Sequence, residues 1–187
     1  MALSVNLDQF GIDLKSLSQG NSPFTEQTTN EPARSAQGAG TGSGSASSAS
    51  TSEKWSDTDP NINLWHIFDG EINRSGKPVG FHSRPGGTDP ANARLVSVRD
   101  QPNRAGVYTA TIEIRDGGQW KSKFSSFFPD SLDRQEVIEA VLHAYRNSDD
   151  QRAQPFEGPS GLGFTVQGYT SSRGGINTAF PIFVRSQ

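Results

Sequence analysis

LWHIFDGEINRSGKPVGFHS, residues 64–83, holds two of the three histidines in the chain, His66 and His82. Each sits among apolar, strand-forming neighbours: Trp65, Ile67 and Phe68 around the first, and Val79, Gly80 and Phe81 before the second. Between them, Asn73-Arg74-Ser75-Gly76-Lys77-Pro78 has the composition of a turn, because Gly and Pro punctuate it and its polar residues have nothing apolar to pack on. Two strands joined by such a turn make a hairpin, which would bring the imidazoles near one another.

Beyond this stretch, Arg84 to Pro90 carries turn signals throughout. Ala93–Arg99 and Val107–Arg115 then read as strands. In the second, Tyr108, Ala110, Ile112 and Ile114 alternate with Val107, Thr109, Thr111 and Glu113, the period of a half-buried strand. Trp120–Phe128 is a further strand, stopped by Pro129. One helix follows: Asp133 is an N-cap with Glu136 three residues on, and Val137, Ile138, Val141, Leu142 and Tyr145 form an apolar stripe at helical spacing. His143 lies off that stripe and is expected to face solvent. Asn147–Ser160 reads as loop, and Gly163–Thr170 and Ile176–Val184 close the chain as a hairpin around Ser171–Gly175. The fold class is therefore α+β: a twisted antiparallel sheet arrangement with one main helix packed on one side.

Toward the N-terminus the pattern fails. Met1 to Gln19 carries a weak apolar rhythm, read as a marginal segment or else a short docking element. From Gly20 to Ser52 the composition collapses to Gly, Ser, Ala and Thr, too apolar-poor to offset chain entropy, so residues 1–55 are expected to be a flexible segment and 56–187 the folded domain. Charge is split accordingly. The first 60 residues hold three Lys+Arg against seven Asp+Glu, and the remainder 14 against 13, so a basic site in the domain must be local rather than a broad face. The absence of cysteine removes disulfides, thiolate metal sites and a cysteine nucleophile. No apolar run approaches the ~20 residues of a membrane span, and no secretory signal is present; export, if any, uses another route.

Two histidines on neighbouring strands can act as general base and general acid, since imidazole titrates near pH ~6.5. Cleavage of RNA through its own 2′-hydroxyl needs that pair plus a cation for the phosphorane. Lys121 and Lys123, two apart on one strand face, are candidates for the cation. A competing reading takes His66, Asp69, Glu71 and His82 as zinc or manganese ligands of a metal-dependent phosphodiesterase. A third is a non-catalytic RNA-binding module that stacks bases on Phe127, Phe128 or Phe180. The plainest leaves His66 as a satisfied core residue.

Four segments in order add to this: His66-Ile67-Phe68-Asp69-Gly70-Glu71-Ile72; Gly80-Phe81-His82-Ser83; Ser125-Ser126-Phe127-Phe128-Pro129 followed by a helix; and Ile176-Asn177-Thr178-Ala179-Phe180-Pro181. Together they resemble the bacterial branch of the EndoU endoribonucleases, which includes toxin domains of contact-dependent growth inhibition systems. The resemblance runs from about Leu64 to Phe183 and implies the fold shared by barnase, EndoU, certain colicins and RelE. It implies a metal-independent endoribonuclease with no cofactor, cutting single-stranded RNA at uridine to leave 2′,3′-cyclic phosphate and 5′-OH ends. Carried over, His66 and His82 match the catalytic histidines and Lys123 the catalytic lysine, with Lys121 as the alternative. Thr178, Phe180 and Ser126 match substrate-contacting positions. Some relatives place Lys where this chain has Ser125, and many have Tyr where it has Phe180, so a role that needs a phenol is not supplied there. The implied partners are RNA and, for a toxin, an immunity protein, with action in the cytoplasm. The start at Met1 without a delivery region favours a stand-alone intracellular enzyme in this reading.

Overall fold

The structure, a computed structural model, describes residues 53–185. The apolar segment at 1–19 and the Gly/Ser-rich stretch at 20–52 lie outside the described residues. Among the described residues, eight strands and one α-helix run in the order β1 (Glu71–Ile72), β2 (Pro78–Val79), β3 (Ala93–Asp100), β4 (Tyr108–Asp116), β5 (Gln119–Phe127), α1 (Arg134–Arg146), β6 (Phe156–Pro159), β7 (Thr165–Thr170) and β8 (Ile176–Pro181). They form a β1-β2 hairpin and two three-stranded antiparallel sheets, β3-β4-β5 and β6-β7-β8. The α+β class expected from the sequence is the one observed.

The helix starts where its cap chemistry places it. Asp133 accepts from Glu136 N at 2.8 Å while Glu136 Oε2 accepts from Asp133 N at 2.8 Å, a reciprocal capping box that stabilises the first turn by about 1 kcal/mol. Val137, Val141 and Ala144 then bury against Phe156, Val166 and Ala179 of the second sheet. The approach is close: a Cβ on Gly158 would lie 2.0 Å from Ala144 O. A separate core, Phe81, Tyr108, Ala110, Ile112, Ile114 and Phe127, lies against the first sheet.

Residues 64–83 bridge the two cores. Leu64, Ile67 and Phe68 belong to the helix-side core and Phe81 to the other. The strand-like setting expected at His66 is not observed. Trp65–Asp69 is one π-helical turn, closed by Gly70 N donating to Trp65 O at 2.8 Å. So short a turn leaves its later carbonyls without helical partners, and a buried carbonyl without a partner is costly. The segment after β2 supplies them: Phe81 N donates to His66 O (2.7 Å), and His82 N (2.7 Å) and Ser83 N (3.1 Å) donate to Ile67 O. On its other side Phe128 N donates to His82 O at 2.9 Å.

Two differences from the sequence reading have physical causes. The π turn was masked by Ile67 and Phe68, whose β-propensity gives way to burial in the core. The short strand β6 lies inside the stretch read as loop, since Pro155, Pro159 and Gly158 hid a strand that burial of Phe156 holds in place.

Gly80 tests this interleaving. Its φ is +78°, and a Cβ there would meet His66 O at 2.2 Å. Gly80→Ala is expected to cost at least about 2 kcal/mol from strain and displacement, lowering Tm by about 8 °C. A thermal melt within about 1 °C of the parent would contradict the packing described.

Candidate active site

The π turn, the 80–83 segment, β5 and β8 bring the predicted histidines together. The His66 and His82 rings lie 6.0 Å apart with planes inclined at 28°, and the Phe180 ring is 5.2 Å from His82. Both histidines are buried.

The two imidazoles have unlike partners. At His82, the Nδ1 edge meets Ser126 O at 3.0 Å and Ser125 Oγ at 2.9 Å. The Ser125 hydroxyl hydrogen is committed to Phe81 O at 2.8 Å. Both groups at Nδ1 are then acceptors, so the imidazole carries its hydrogen there and Nε2 keeps a lone pair. Burial holds the His82 pKa well below its usual 6.5, with the Lys123 and His66 charges adding to the effect and the Ser126 carbonyl opposing it.

At His66, Nδ1–H donates to Glu71 Oε1 at 3.3 Å, while Nε2 is buried with no hydrogen-bond partner. Burial lowers its pKa too, but Glu71 pulls the other way, by hydrogen bond and by charge. Burial pushes the Glu71 carboxyl up, and this is outweighed by His66 and Lys54, leaving it ionised with a pKa of about 2. Asn63 braces the assembly: its Oδ1 accepts from His66 N (3.2 Å) and its Nδ2 donates to Glu71 Oε1 (3.3 Å) and to Asn177 Oδ1 on β8 (3.3 Å).

The two lysines differ in their position along one strand face. On β5, Lys121, Lys123 and Ser125 share the face of Ile114, Ile112 and Ala110, their β4 partners. Lys123 Nζ donates to Gly80 O (2.8 Å) and approaches Ser125 Oγ (3.5 Å), which places it in the cluster. Lys121 lies one strand pair further out, donating to Gly76 O at 2.7 Å and pairing with Asp116 at 2.6 Å. Burial drops the Lys123 pKa to about 7. Ser126 has the opposite parity, so its hydroxyl lies on the other sheet face beside Thr109, and its carbonyl is what reaches His82. On β8, Thr178 and Phe180 share the face away from the helix with Tyr169 and Gln167, their β7 partners, and the Thr178 and Tyr169 hydroxyls are buried without hydrogen-bond partners.

The proposed metal ligands do not converge. Asp69 is engaged by the Arg134 charge rather than by the histidines, and among the described residues no group of three or more His, Asp or Glu side chains is arranged to hold a metal ion. His143 is exposed, as its place off the helix stripe predicted, with Nδ1 bonded to Pro159 O at 2.8 Å. Sequence reasoning missed Ser125 as a partner of His82, and Asn63 and Lys54 altogether. Nothing in their local sequence signals a contact that is made across the fold.

The α+β scaffold thus gathers two buried imidazoles and a buried lysine into one cluster. Comparison makes the class specific: the chain matches the family model described as bacterial EndoU nuclease over residues 61–183, and it belongs to that family. It is 29% identical over 124 residues to a Bacillus cereus protein named Toxin, a match that covers 65% of this chain but 22% of that protein. No solved structure is matched.

Lys123 carries a testable cost. Its folded-state pKa of about 7 lies below the ordinary 10.5, so between those values the unfolded chain binds the proton more tightly. Its contribution to stability is therefore least favourable below pH 7 and recovers as pH rises toward 10.5. Lys123→Met is expected to raise Tm at pH 7 by about 4 °C for each kcal/mol recovered, with the gain fading by pH ~10.5. An unchanged or lower Tm at pH 7 would count against a buried amine.

Proposed function

We propose that the chain is a metal-independent endoribonuclease that cleaves single-stranded RNA, with uridine preferred, by attack of the 2′-hydroxyl. The observation that carries this reading is the pair of imidazoles 6.0 Å apart with opposite commitments at Nδ1, carbonyl and hydroxyl oxygens on one and a carboxylate on the other. His82, with its hydrogen held at Nδ1, offers the Nε2 lone pair to the 2′-OH proton as general base. The 2′-oxygen then bonds to phosphorus while the bond to the 5′-oxygen breaks. His66, whose imidazolium Glu71 favours, donates from Nε2 to the departing 5′-oxygen. The Lys123 ammonium balances the charge of the phosphorane. The products are a 2′,3′-cyclic phosphate and a 5′-OH end, and all protons are accounted for by the two histidines.

Phe180, beside His82, is proposed to stack on the base, a contact worth ~1–3 kcal/mol, and the buried Thr178 hydroxyl to contact the phosphate or uracil. Ser126 is proposed to act through its carbonyl, by fixing the His82 tautomer, rather than through its hydroxyl. The similarity to the Bacillus cereus protein named Toxin supports a toxin role over a housekeeping one, and such a toxin would act on RNA in the cytoplasm and be restrained by an immunity protein.

Incubation of a uridine-containing RNA oligonucleotide with the protein in EDTA is expected to yield cyclic-phosphate ends. His66→Ala and His82→Ala should each lose about 10²–10⁴-fold in rate. Full activity in either variant, or no cyclic phosphate from the parent, would refute the reading.

The pH profile of kcat/KM provides an independent check. An acid with a lowered pKa loses its proton below pH 6.5, and Lys123 loses its charge near pH 7, so activity is expected to fall as pH rises through 7. A plateau extending to pH ~9 would require an ordinary lysine and a raised histidine instead.

A further inference from the structure

Residues 54–56 precede the matched family segment, yet they are zipped onto it. Leu64 N donates to Lys54 O at 2.8 Å and Ser56 N to Ile62 O at 2.9 Å, with Trp55 bridged antiparallel to Asn63. This pairing sets Lys54 beside the π turn. Its amine lies 5.4 Å from the Trp65 ring centroid and 3.0 Å from Glu71 Oε2. Glu71 uses its other oxygen, Oε1, to accept from His66 Nδ1 at 3.3 Å. One carboxylate is thus shared between the Lys54 ammonium and the His66 imidazole, one oxygen to each.

We propose that Lys54 is a positioning residue for the general acid: by sharing Glu71, it limits how tightly that carboxylate holds the proton on His66. The inference rests on the reading of His66 as the acid.

The charged surroundings of His66 define what Lys54 can do. Glu71 faces it from β1, Lys123 from β5, His82 from the segment after β2, and Lys54 from the 54–56 segment. β8, packed on the π turn, presents Asn177 and Thr178 but nothing titratable, and Asp69 on the turn itself is engaged by Arg134. Burial lowers the proton affinity of His66, Glu71 raises it, and Lys123 and Lys54 lower it again. Without Lys54 the undivided Glu71 charge would act on the imidazole. A proton held more tightly is delivered less readily to a leaving oxygen, while too little hold would leave the acid unprotonated at neutral pH. Lys54 moderates the first effect without abolishing Glu71's contact. Its side chain is 40% exposed, so its influence is screened by salt.

The test uses the full 187-residue chain and reads His66 directly by an NMR pH titration of its ring Cε1–H, assigned by the loss of that signal in His66→Ala. Lys54→Met is expected to raise the His66 midpoint by about half a unit at about 50 mM salt, and the alkaline limb of kcat/KM should move with it. The difference should shrink in about 1 M salt. Lys54→Arg, which keeps the charge, should behave as the parent. An unmoved midpoint in folded Lys54→Met, or an equal shift in Lys54→Arg, overturns the proposal; should Lys54→Met not fold, Lys54→Gln is read in its place. If the protein fails to cleave RNA while the midpoint shifts, the functional reading falls and the electrostatic role of Lys54 stands. If it cleaves and the midpoint is unmoved, the role of Lys54 falls alone.

Discussion

The site depends on a backbone exchange. The π turn at Trp65–Asp69 closes on itself through one 2.8 Å bond from Gly70 and leaves the His66 and Ile67 carbonyls to be satisfied from elsewhere. The 81–83 segment donates three N–H groups to them, so the two catalytic candidates are tied through their own main chains before any side chain acts. The close approach needs Gly80 at φ +78° and forces Phe81 to φ +60°. A non-glycine residue there costs about 1–3 kcal/mol. Full burial of the Phe81 ring against Phe127 contributes about 2 kcal/mol, which is of the size needed to hold it.

That arrangement explains why the chemistry is buried. The histidines, Lys123, Thr178 and Ser125 sit where two apolar cores meet, because residues 64–83 place Phe68 in one and Phe81 in the other. Desolvation is thus a product of the packing rather than of a separate device, and it depresses His66, His82 and Lys123 together. Unpartnered atoms persist in the same region, at His66 Nε2 and Thr178 Oγ1. Each such atom costs about 1–3 kcal/mol in the free protein, a penalty of the kind that a substrate's polar groups can relieve.

The sequence made the strands of the first sheet, the helix with its cap and the closing hairpin legible, since alternation, the Asp133–Glu136 pair and the 3.6-residue stripe are local signals. It also pointed to His66, His82 and Lys123 as candidates, through an ordered set of motifs that already preferred Lys123 to Lys121; that Lys123 Nζ meets Gly80 O beside the histidines is seen only with β5 docked on the β1-β2 hairpin. What stayed hidden is relational. The π turn looks like a strand because Ile67 and Phe68 suit either. Ser125 reads as a departure from relatives, yet its hydroxyl fixes the hydrogen of His82 across 43 residues of chain. Lys54 lies at the edge of a low-complexity stretch, and nothing in Glu53-Lys54-Trp55 marks it as a neighbour of Glu71.

In the proposed reaction these relations give the two histidines different work without different burial. Both lose solvent to a similar degree, so burial cannot be what separates acid from base. The separation comes from what each Nδ1–H meets. Neutral oxygens at His82 fix the hydrogen at Nδ1 and oppose the lowering by burial too little to offset it, whereas an ionised carboxylate at His66 favours the charged ring by hydrogen bond and by charge. Lys123 sharpens the contrast, because at His82 its charge is the largest influence after burial, whereas at His66 it is smaller than the opposing influence of Glu71. In the proposed reaction, exchange of the carboxylate for a neutral acceptor would leave two similar bases and no acid, so the direction of proton flow would reside in Glu71 and the residues that share it.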